Sequence, residues 1–357
     1  MLSPLKSIKV LDFSTLLPGP YATMLMADMG ASVTRVAHPT IPDLTETIPP
    51  FVGGHSSPKT SALHAQLNRN KHTIKLDLKA PESIARVKDM LDEVDVVIEQ
   101  FRPGVMKKLG LDYETLKEIK PDLIYCSITG YGQTGPYAQR AGHDINYLAL
   151  SGIASYSGSK EHGPSLNGIQ IADMAGGSHH AVMAILASVI HKQSTGEGQY
   201  IDISMTDCSF SMNVISGAPM LAGGHTPNAE SELLNGGFFY DYYQTSDGRY
   251  MSVGGLEPKF IERLATLLDY PSFKRLALSM DTQKQTEVKQ KLKEIFQQKS
   301  FDEWRRIFAE EDVCVEPVLT LDEAAEHPHF KARNSITQTD ISENEHVLQF
   351  AHPIKIS

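Results

Sequence analysis

The chain has 357 residues, of which 41% are hydrophobic and 21% charged, and its formal net charge at pH 7 is -10. This composition excludes a disordered or fibrous chain and fits a globular protein of about two domains, since one domain takes ~150 residues. The net negative charge argues against a general nucleic-acid or acidic-membrane surface, because such partners need clustered cations. We therefore expect neither nucleic acid nor a membrane as a partner.

Cysteine usage and apolar runs bear on the compartment. Cys126, Cys208 and Cys314 are far apart and odd in number, which fits a reducing compartment better than a disulfide framework. The N-terminal sequence MLSPLKSIKVLDF lacks the long apolar stretch of a secretory signal. The longest apolar run, residues 181–190, is far short of the ~20 residues that span a bilayer. We predict a cytoplasmic protein.

The first half of the chain alternates β-branched runs with helical patterns, which predicts a mostly parallel sheet with crossover helices. IKVLDFS is the first predicted strand, residues 18–30 form a helix that ends at a glycine, and SVTRVAH is the second strand. Apolar spacing then predicts helices over 79–94, 113–120 and 175–193, and strands at VDVVIEQF and LIYCSIT. The fold class is therefore α/β, with a Rossmann-like layer.

The second half has a different character. In FFYDYYQTSDGRYMSVGG, apolar and polar residues alternate on both sides of Asp247 and Gly248, which predicts a β-hairpin. Two or three helices are predicted to follow within 258–309. We predict a large Rossmann-like domain over 1–200, a linker helix over 201–227, a small α+β domain over 228–316, and a return to the large domain over 317–357. Residues 39–61, rich in proline, serine and glycine, are predicted to form a long loop.

Two motifs suggest ligand sites, but the residues around them argue against both sites. GYGQTG at 130–135 follows a strand and fits GxGxxG, but Pro136 follows directly and no acidic residue lies about 20 positions on, so a dinucleotide site is rejected. His179 and His180 are adjacent, which on a helix points them about 100° apart. Because HExxH and paired-cysteine patterns are also missing, we predict no metal site.

Three acid or base residues stand out, and each also has an ordinary structural interpretation. His143, in AGHDINYLALSG, precedes a predicted helix start, where free N–H groups can hold an anion, although a turn histidine beside an N-capping Asp144 fits equally. Asp173 precedes small residues in IADMAGG, and it too could be an N-cap. Glu257, in GLEPKF, could simply be a favourable charge at a helix start.

Ordered blocks along nearly the whole chain resemble one family. They include VLDFSTLLPGPYATMLMADMGASVTRV, LNRNKHTIKLDLK, VIEQFRPGVMKKLGLDY, ITGYGQTGPYAQRAGHDINYLALSG, LLNGGFFYDYYQTSDGRYMSVGGLEPKF and VCVEPVLTLDEAAEHPHFKAR. The chain is similar to the family III CoA-transferase (CaiB/BaiF) group. Within that group it is most similar to the α-methylacyl-CoA racemases, whose motifs GHDINY and GLEPKF resemble. The tetraglycine loop typical of the transferases is absent, since no GGGG occurs in the sequence.

The resemblance implies functions for the three candidates. His143, Asp173 and Glu257 correspond to catalytic residues, with Asp173 a base in racemases and the nucleophile that takes the acyl group in transferases. It also implies a Rossmann-like large domain built from both chain ends, a smaller α+β domain between them, and an interlocked homodimer. The expected substrate is an acyl-CoA, with no separate cofactor because CoA is part of the substrate.

The resemblance further implies contacts with CoA. Those residues are Arg35, Leu76, Asp77, Leu78, Lys79, Gln100, Phe101, Arg102, Lys108, Gly142, Asp144, Ile145, Asn146 and Tyr147. His38 is a departure, since close racemase relatives tend to have arginine there, and it implies a weaker cationic grip on the CoA phosphates.

Two reactions follow from these residues. In an epimerase of 2-methylacyl-CoA, His143, polarised by Glu257, and Asp173 exchange the α-proton on opposite faces of Cα, and backbone N–H groups near Asp144 stabilise the enolate oxygen. In a CoA-transferase, Asp173 attacks the thioester and His143 and Glu257 have no role. A silent acyl-CoA-binding protein is a third alternative, which the three acid and base residues disfavour.

Overall fold

The computed structural model describes residues 3–53, 59–342 and 345–356. The chain divides into two compact units. Unit 1 comprises residues 1–151, 167–212 and 328–357, and unit 2 comprises residues 152–166 and 213–327. Both ends of the chain therefore belong to unit 1, as far as they are described.

Unit 1 is built on a six-stranded parallel sheet. Its strands are β1 (Lys9–Asp12), β2 (Ser32–Ala37), β5 (Lys71–Lys75), β6 (Val96–Glu99), β7 (Ile124–Thr129) and β8 (Tyr200–Ser204), in the spatial order β5-β2-β1-β6-β7-β8. The central strands β6 and β7 are buried along their whole length, as strands covered on both faces must be. The predicted mostly parallel sheet is confirmed.

Helices connect and cover these strands. They are α1 (Pro18–Asp28), α2 (Ala62–Asn68), α3 (Pro81–Met90), α4 (Val105–Leu109), α5 (Tyr113–Ile119), α6 (Asp144–Leu150), α7 (His180–Thr195) and α8 (Met205–Ser211). Short 3₁₀ segments lie at Leu44–Thr47 and Leu91–Glu93, and a π-helical segment, Ala172–His179, runs directly into α7. The core on one side of the sheet includes Leu11, Val87, Val97, Leu116 and Tyr125, which are all fully or almost fully buried.

Unit 2 holds the predicted hairpin. Strands β9 (Asp241–Gln244) and β10 (Tyr250–Val253) pair antiparallel around the Asp247–Gly248 turn, and β11 (Val315–Pro317) joins β10. Its helices are α9 (Val214–Leu221), α10 (Pro258–Leu267), α11 (Phe273–Leu276), α12 (Thr282–Phe296), α13 (Phe301–Phe308) and α14 (Leu321–Glu326), with a 3₁₀ turn at Ile153–Tyr156. Trp304 is buried in its core, and its indole N–H donates to the Phe296 carbonyl (2.8 Å).

The chain returns to unit 1 through α15 (Pro328–Ala332) and the hairpin β12 (Ile336–Ser342) and β13 (Glu345–Phe350). The hairpin is tied to α2, because Gln66 exchanges two hydrogen bonds with the Phe350 backbone, at 3.0 and 3.3 Å. Residues 354–356, with the sequence IKI, form no strand.

The observed boundaries differ from the predicted ones in two ways. Residues 201–227 are not one linker helix, because 200–204 form the last strand of the sheet and 205–211 and 214–221 form two separate helices. Residues 152–166 cluster with unit 2, and the return to unit 1 begins at 328 instead of 317. The strand YIDIS was missed because it directly follows the polar sequence STGEGQ that ends α7.

Residues 39–61 were predicted as a long loop. They contain the 3₁₀ turn Leu44–Thr47 and a two-residue pairing of β3 (Phe51–Val52) with β4 (Thr60–Ser61). Asp43 caps the 3₁₀ turn by accepting the Thr45 N–H (2.8 Å). Residues 54–58 lie outside the described part of the chain, so the loop prediction stays a prediction for them.

Candidate active site

The order of the strands locates a crevice in unit 1. After β1 the chain continues to β2 on one side, and after β6 it continues to β7 on the other side. The segments that leave the carboxyl ends of the neighbouring strands β1 and β6 therefore diverge, and sheets of this kind bind their ligands in the crevice between such segments. A cavity of about 340 Å³ lies there. It is lined by Leu16, Pro18, Gln100, Phe101, Arg102, Pro103, Ile128, Thr129, Gly130, Tyr131, Ala138, Arg140, Ala141, Gly142, His143, Tyr147, Asp173 and Met205.

The segment that leaves β6 forms one wall of the cavity. The Glu99 carboxylate, at the end of β6, accepts the Phe101 N–H (2.7 Å), and the Gln100 side-chain oxygen accepts the Gly19 N–H at the start of α1 (2.9 Å). These two bonds fix the Gln100–Phe101–Arg102 turn from both sides. The Arg102 side chain, at the end of this turn, is exposed and lines the cavity.

Glu99 is 4% exposed, and burial raises the pKa of its carboxyl from 4.5 to about 7. A pKa raised by folding means that the stability contributed by the neutral form is complete below pH 4.5 and is lost as pH rises through about 7. At pH 8.5 the charged carboxylate should therefore cost the folded state about 3 kcal/mol. This is the free energy that a neutral side chain of the same shape would avoid.

We expect Glu99→Gln to stabilise the protein relative to wild type as pH rises, because glutamine keeps an oxygen for the Phe101 N–H but carries no charge. The measurement is the free energy of unfolding in urea at pH 5 and at pH 8.5. The difference between variant and wild type should shift in favour of the variant by up to about 3 kcal/mol. A difference that is the same at both pH values would show that Glu99 titrates normally.

His143 lies directly before α6 in extended conformation (φ -133°, ψ 175°) and is the N-cap residue of that helix. Its backbone N–H donates to the Asn146 side-chain oxygen (3.0 Å), and its carbonyl accepts the Asn146 N–H (2.8 Å). This reciprocal pair fixes the backbone at position 143, while the imidazole is exposed at the cavity. The interpretation of Asp144 as the N-cap of this helix was wrong, since Asp144 is its first helical residue.

Gly142 leaves room for the tyrosine that supports this turn. The Tyr147 hydroxyl donates to the Gly142 carbonyl (2.5 Å), and a Cβ at position 142 would lie 2.7 Å from the Tyr147 ring. A Cβ at Gly130 would be 2.5 Å from the same ring. Tyr147 is buried, which raises the pKa of its hydroxyl to about 12, so it stays protonated and remains a donor.

Asp173 lies in the first turn of the π-helical segment, and its half-buried carboxyl lines the same cavity as His143. The pKa of this carboxyl is raised to about 6, mainly by burial and also by the negative charge of Asp144, while His143 acts to lower it. A carboxyl with a pKa close to neutrality can both accept and release a proton at physiological pH. His143 and Asp173 are therefore two side chains of the acid or base type at one cavity.

The predicted CoA-contact residues divide into two groups. Gln100, Phe101, Arg102, Gly142 and Tyr147 line the cavity, together with His143 and Asp173. The remaining predicted residues do not line it; these are Arg35, Leu76, Asp77, Leu78, Lys79, Lys108, Asp144, Ile145 and Asn146. Lys79, Lys108 and Ile145 are exposed, and Leu76 is buried.

Arg35 has a different environment from that of an exposed phosphate-binding cation. Its side chain is only 5% exposed, and its guanidinium lies 3.3 Å from the Glu46 carboxylate and 3.7 Å from that of Asp43. These ion pairs tie β2 to the 3₁₀ turn at 44–47. His38 accepts the N–H groups of Thr40 and Ile41 through Nδ1, at 3.1 and 3.0 Å, and so closes the turn after β2.

Glu257 belongs to unit 2, where it is exposed and is the N-cap residue of α10, directly before Pro258. Its carbonyl accepts the Phe260 N–H (3.0 Å). The ordinary interpretation as a helix-start residue therefore describes its local setting, and its assignment as a partner of His143 stays a prediction.

The sequence profile of CoA-transferase family III matches residues 5–357 of the chain. The protein belongs to CoA-transferase family III.

Family III members of two kinds are similar to this chain. Human α-methylacyl-CoA racemase is 36% identical over 337 residues, covering 94% of this chain and 83% of that protein. Human succinyl-CoA:glutarate CoA-transferase is 32% identical over 358 residues, covering 99% of this chain and 77% of that protein. The crystal structure of a CaiB/BaiF family protein from Brucella suis superposes with a TM-score of 0.85 at 31% identity, covering 100% of this chain and 93% of that one.

The sequence-based reasoning missed several residues of this family III cavity, of which Arg140 and Tyr131 are the most informative. The Arg140 guanidinium lies over the Tyr137 ring, 4.0 Å from its centre, at the edge of the cavity. Arg140 precedes His143 by three residues, so its place in the same block was the signal. Tyr131 lies in the GYGQTG loop, which was tested only as a dinucleotide motif.

Within residues 3–53, 59–342 and 345–356, no three or more histidine, cysteine, aspartate or glutamate side chains are grouped in a way that could hold a metal ion. In the same ranges no helix has both the length and the hydropathy that a bilayer crossing requires.

Proposed function

We propose that this family III protein interconverts (2R)- and (2S)-2-methylacyl-CoA by transferring the α-proton through an enolate. The observation that carries the proposal is that His143 and Asp173, 30 positions apart in the sequence, line one cavity at the carboxyl ends of the parallel strands. The racemase relative at 36% identity supports the same reaction class.

The chemistry needs a base on one face of Cα and an acid on the other. The α-hydrogen of a thioester is acidified because the enolate spreads its negative charge onto the thioester oxygen. In the proposed reaction one carrier removes this proton while the other protonates the opposite face, and the two exchange functions with the hand of the substrate. Glu257 keeps the catalytic assignment that the family resemblance gives it.

The enolate oxygen is assigned to the backbone N–H groups at the start of α6, on Asp144 and Ile145. A helix leaves its first N–H groups without partners inside the helix, and the positive end of its dipole favours negative charge there. One preorganised donor to a developing oxyanion typically contributes about 3 kcal/mol, or roughly a hundredfold in rate.

The CoA phosphates are assigned to exposed cations: Arg102 and Arg140, which line the cavity, and Lys79 and Lys108, which the family resemblance implies. Guanidinium groups bind phosphate in a bidentate manner, and binding energy from this distant end of the substrate can hold Cα between the two carriers. The residues around the LDLK segment remain proposed contacts of the same ligand. An interlocked homodimer in the cytoplasm is also part of the proposal.

We expect Arg102→Ala and Arg140→Ala each to raise the KM for the acyl-CoA substrate by roughly tenfold and to leave kcat within about twofold, because charge-assisted phosphate contacts made equally in ground and transition states affect binding alone. Steady-state kinetics at two salt concentrations checks this. Arg263→Ala, which removes an exposed arginine of unit 2 that is paired with Glu311, is the matched control and should change neither constant. A loss of kcat with unchanged KM in the cavity variants would contradict the assignment.

CoA transfer is the second candidate, and the transferase relative at 32% identity favours it. In that reaction the Asp173 carboxylate attacks the thioester carbonyl and expels CoA thiolate, which gives a mixed anhydride. The thiolate then attacks the Asp173 carbonyl, which releases the donor acid and leaves an aspartyl thioester of CoA. The carboxylate of the acceptor acid repeats the two steps on this thioester, which forms the new acyl-CoA and restores the Asp173 carboxylate. A raised pKa makes a carboxylate more nucleophilic as well as more basic, so Asp173 suits both reactions. His143 has no function in the transfer.

The experiment that separates the two is incubation of one epimer of a 2-methylacyl-CoA in heavy water without any acceptor acid. The proposal predicts α-deuterium uptake together with loss of optical purity. Strict dependence on an added carboxylic acid, with trapping of an acyl adduct on Asp173 by hydroxylamine, would establish transfer instead.

A further inference from the structure

The Asp144 side chain joins the two chain segments that carry the proton carriers. Its Oδ1 accepts the N–H of Ala172 (2.6 Å) and the N–H of Asp173 (3.1 Å). Asp144 directly follows His143 in the chain, and one of the two N–H groups that its carboxylate accepts belongs to Asp173. The Asp144 carboxylate therefore links the residue next to His143 to the Asp173 backbone through one hydrogen bond.

These two N–H groups would otherwise lack partners. The first backbone bond of the π-helical segment runs from the Met174 N–H to the Gln170 carbonyl (3.0 Å), so the N–H groups of residues 172 and 173 precede the helical ladder. Buried or half-buried N–H groups left without acceptors destabilise their segment, and a carboxylate is a strong acceptor at the positive end of a helix. Asp144 thus acts as an N-cap supplied from a different helix.

We propose that Asp144 is the positioning residue of the proton-transfer pair, because its carboxylate clamps the Asp173 backbone to the start of α6 and sets the separation of the two carriers. This inference rests on the proposed α-proton transfer for its effect on rate. The clamp itself is a property of the fold and can be measured without any substrate.

The clamp also places a negative charge beside the Asp173 carboxyl. The other titratable or charged groups at the same cavity are His143, Tyr147, Tyr131, Arg102 and Arg140. Asp144 raises the pKa of Asp173 and His143 lowers it. Removing the charge at 144 while keeping its oxygen should therefore move the titration of Asp173 to lower pH without releasing the backbone.

Two variants separate the acceptor from the charge. Asp144→Asn keeps an oxygen that can accept both N–H groups, so we expect amide hydrogen exchange at Ala172 and Asp173 to stay within about threefold of wild type. Asp144→Ala removes the acceptor, and protection of these two amides should fall by roughly tenfold or more, as the loss of a hydrogen bond to a charged acceptor implies. Hydrogen-exchange NMR or mass spectrometry of the whole protein gives this result.

Kinetics gives the second result. For the epimer that Asp173 deprotonates, kcat/KM should fall at low pH as the carboxylate takes up a proton, and Asp144→Asn should move this acidic limb to lower pH. Asp144→Ala should lower kcat at all pH values by roughly tenfold to a hundredfold, because a misplaced carrier loses its near-attack geometry. The asparagine variant should recover most of that rate.

Asp247→Ala is the matched control, because the Asp247 carboxylate accepts the Phe301 N–H at the start of α13 in unit 2 (3.1 Å). It should lower stability but leave the amides of 172 and 173 and the pH profile unchanged. Wild-type protection of these amides in Asp144→Ala would overturn the clamp. If Asp144→Ala loses protection of these amides but the wild-type protein exchanges no α-proton of the substrate, the clamp is supported and the proposed reaction is refuted.

Discussion

Replacing His143 with alanine is expected to lower kcat for epimerisation by roughly 10²- to 10⁴-fold, the range that one positioned acid or base contributes. The imidazole is exposed at the cavity, and the backbone bonds that hold position 143 involve its N–H and carbonyl, so alanine should leave the turn intact. Stability and CoA affinity should therefore change little.

The measurement is steady-state kinetics with each epimer, beside calorimetric titration with CoA. His191→Ala is the control, since His191 is a partly exposed histidine of α7 that does not line the cavity. It should retain full activity. Wild-type turnover by the His143 variant would remove the imidazole from the mechanism.

Replacing Asp173 with asparagine is expected to have an effect of the same size, about 10²- to 10⁴-fold on kcat, because the amide cannot accept or release the proton. Wild type should show the titration of this carboxyl as well. Its pKa is raised to about 6, mainly by burial, so the rate for the epimer that Asp173 deprotonates should decline as pH falls through that value. The asparagine variant has no such group.

This prediction is checked by pH profiles of kcat/KM with both epimers. Asp207→Asn, at an exposed position on α8 that does not line the cavity, serves as the control and should behave as wild type. A pH profile whose limb near 6 persists in Asp173→Asn would assign that limb to another group.

The parts of the sheet that could be predicted from sequence are its buried strands. Strands β6 (VVIE) and β7 (IYCSIT) are mostly apolar because both of their faces are covered, and such segments are easy to recognise in the sequence. The missed strands, β5 and β8, are the two edges of the sheet. Their sequences, KHTIK and YIDIS, contain polar residues because part of each strand is exposed, so the apolar signal is weak there.

The candidate site was predictable where it depends on local sequence and not where it depends on tertiary contacts. His143 before a helix start and Asp173 before small residues could be singled out from their neighbours. The bonds from Asp144 to residues 172 and 173 span 28 and 29 positions, and no local pattern encodes them. Arg35 shows the reverse case, because its strand was predicted correctly but its ion pairs with Asp43 and Glu46 depend on how the following loop folds back.

The measurement that tests the central claim most directly is α-deuterium uptake from heavy water, followed for each pure epimer with His143→Gln and with Asp173→Asn. If the two carriers serve opposite faces of Cα, each variant should still exchange the epimer that its remaining base can reach, without inverting it, and the two variants should retain opposite epimers. Loss of exchange with the same epimer in both variants, or undiminished exchange of both epimers by either variant, would contradict proton transfer between these two residues.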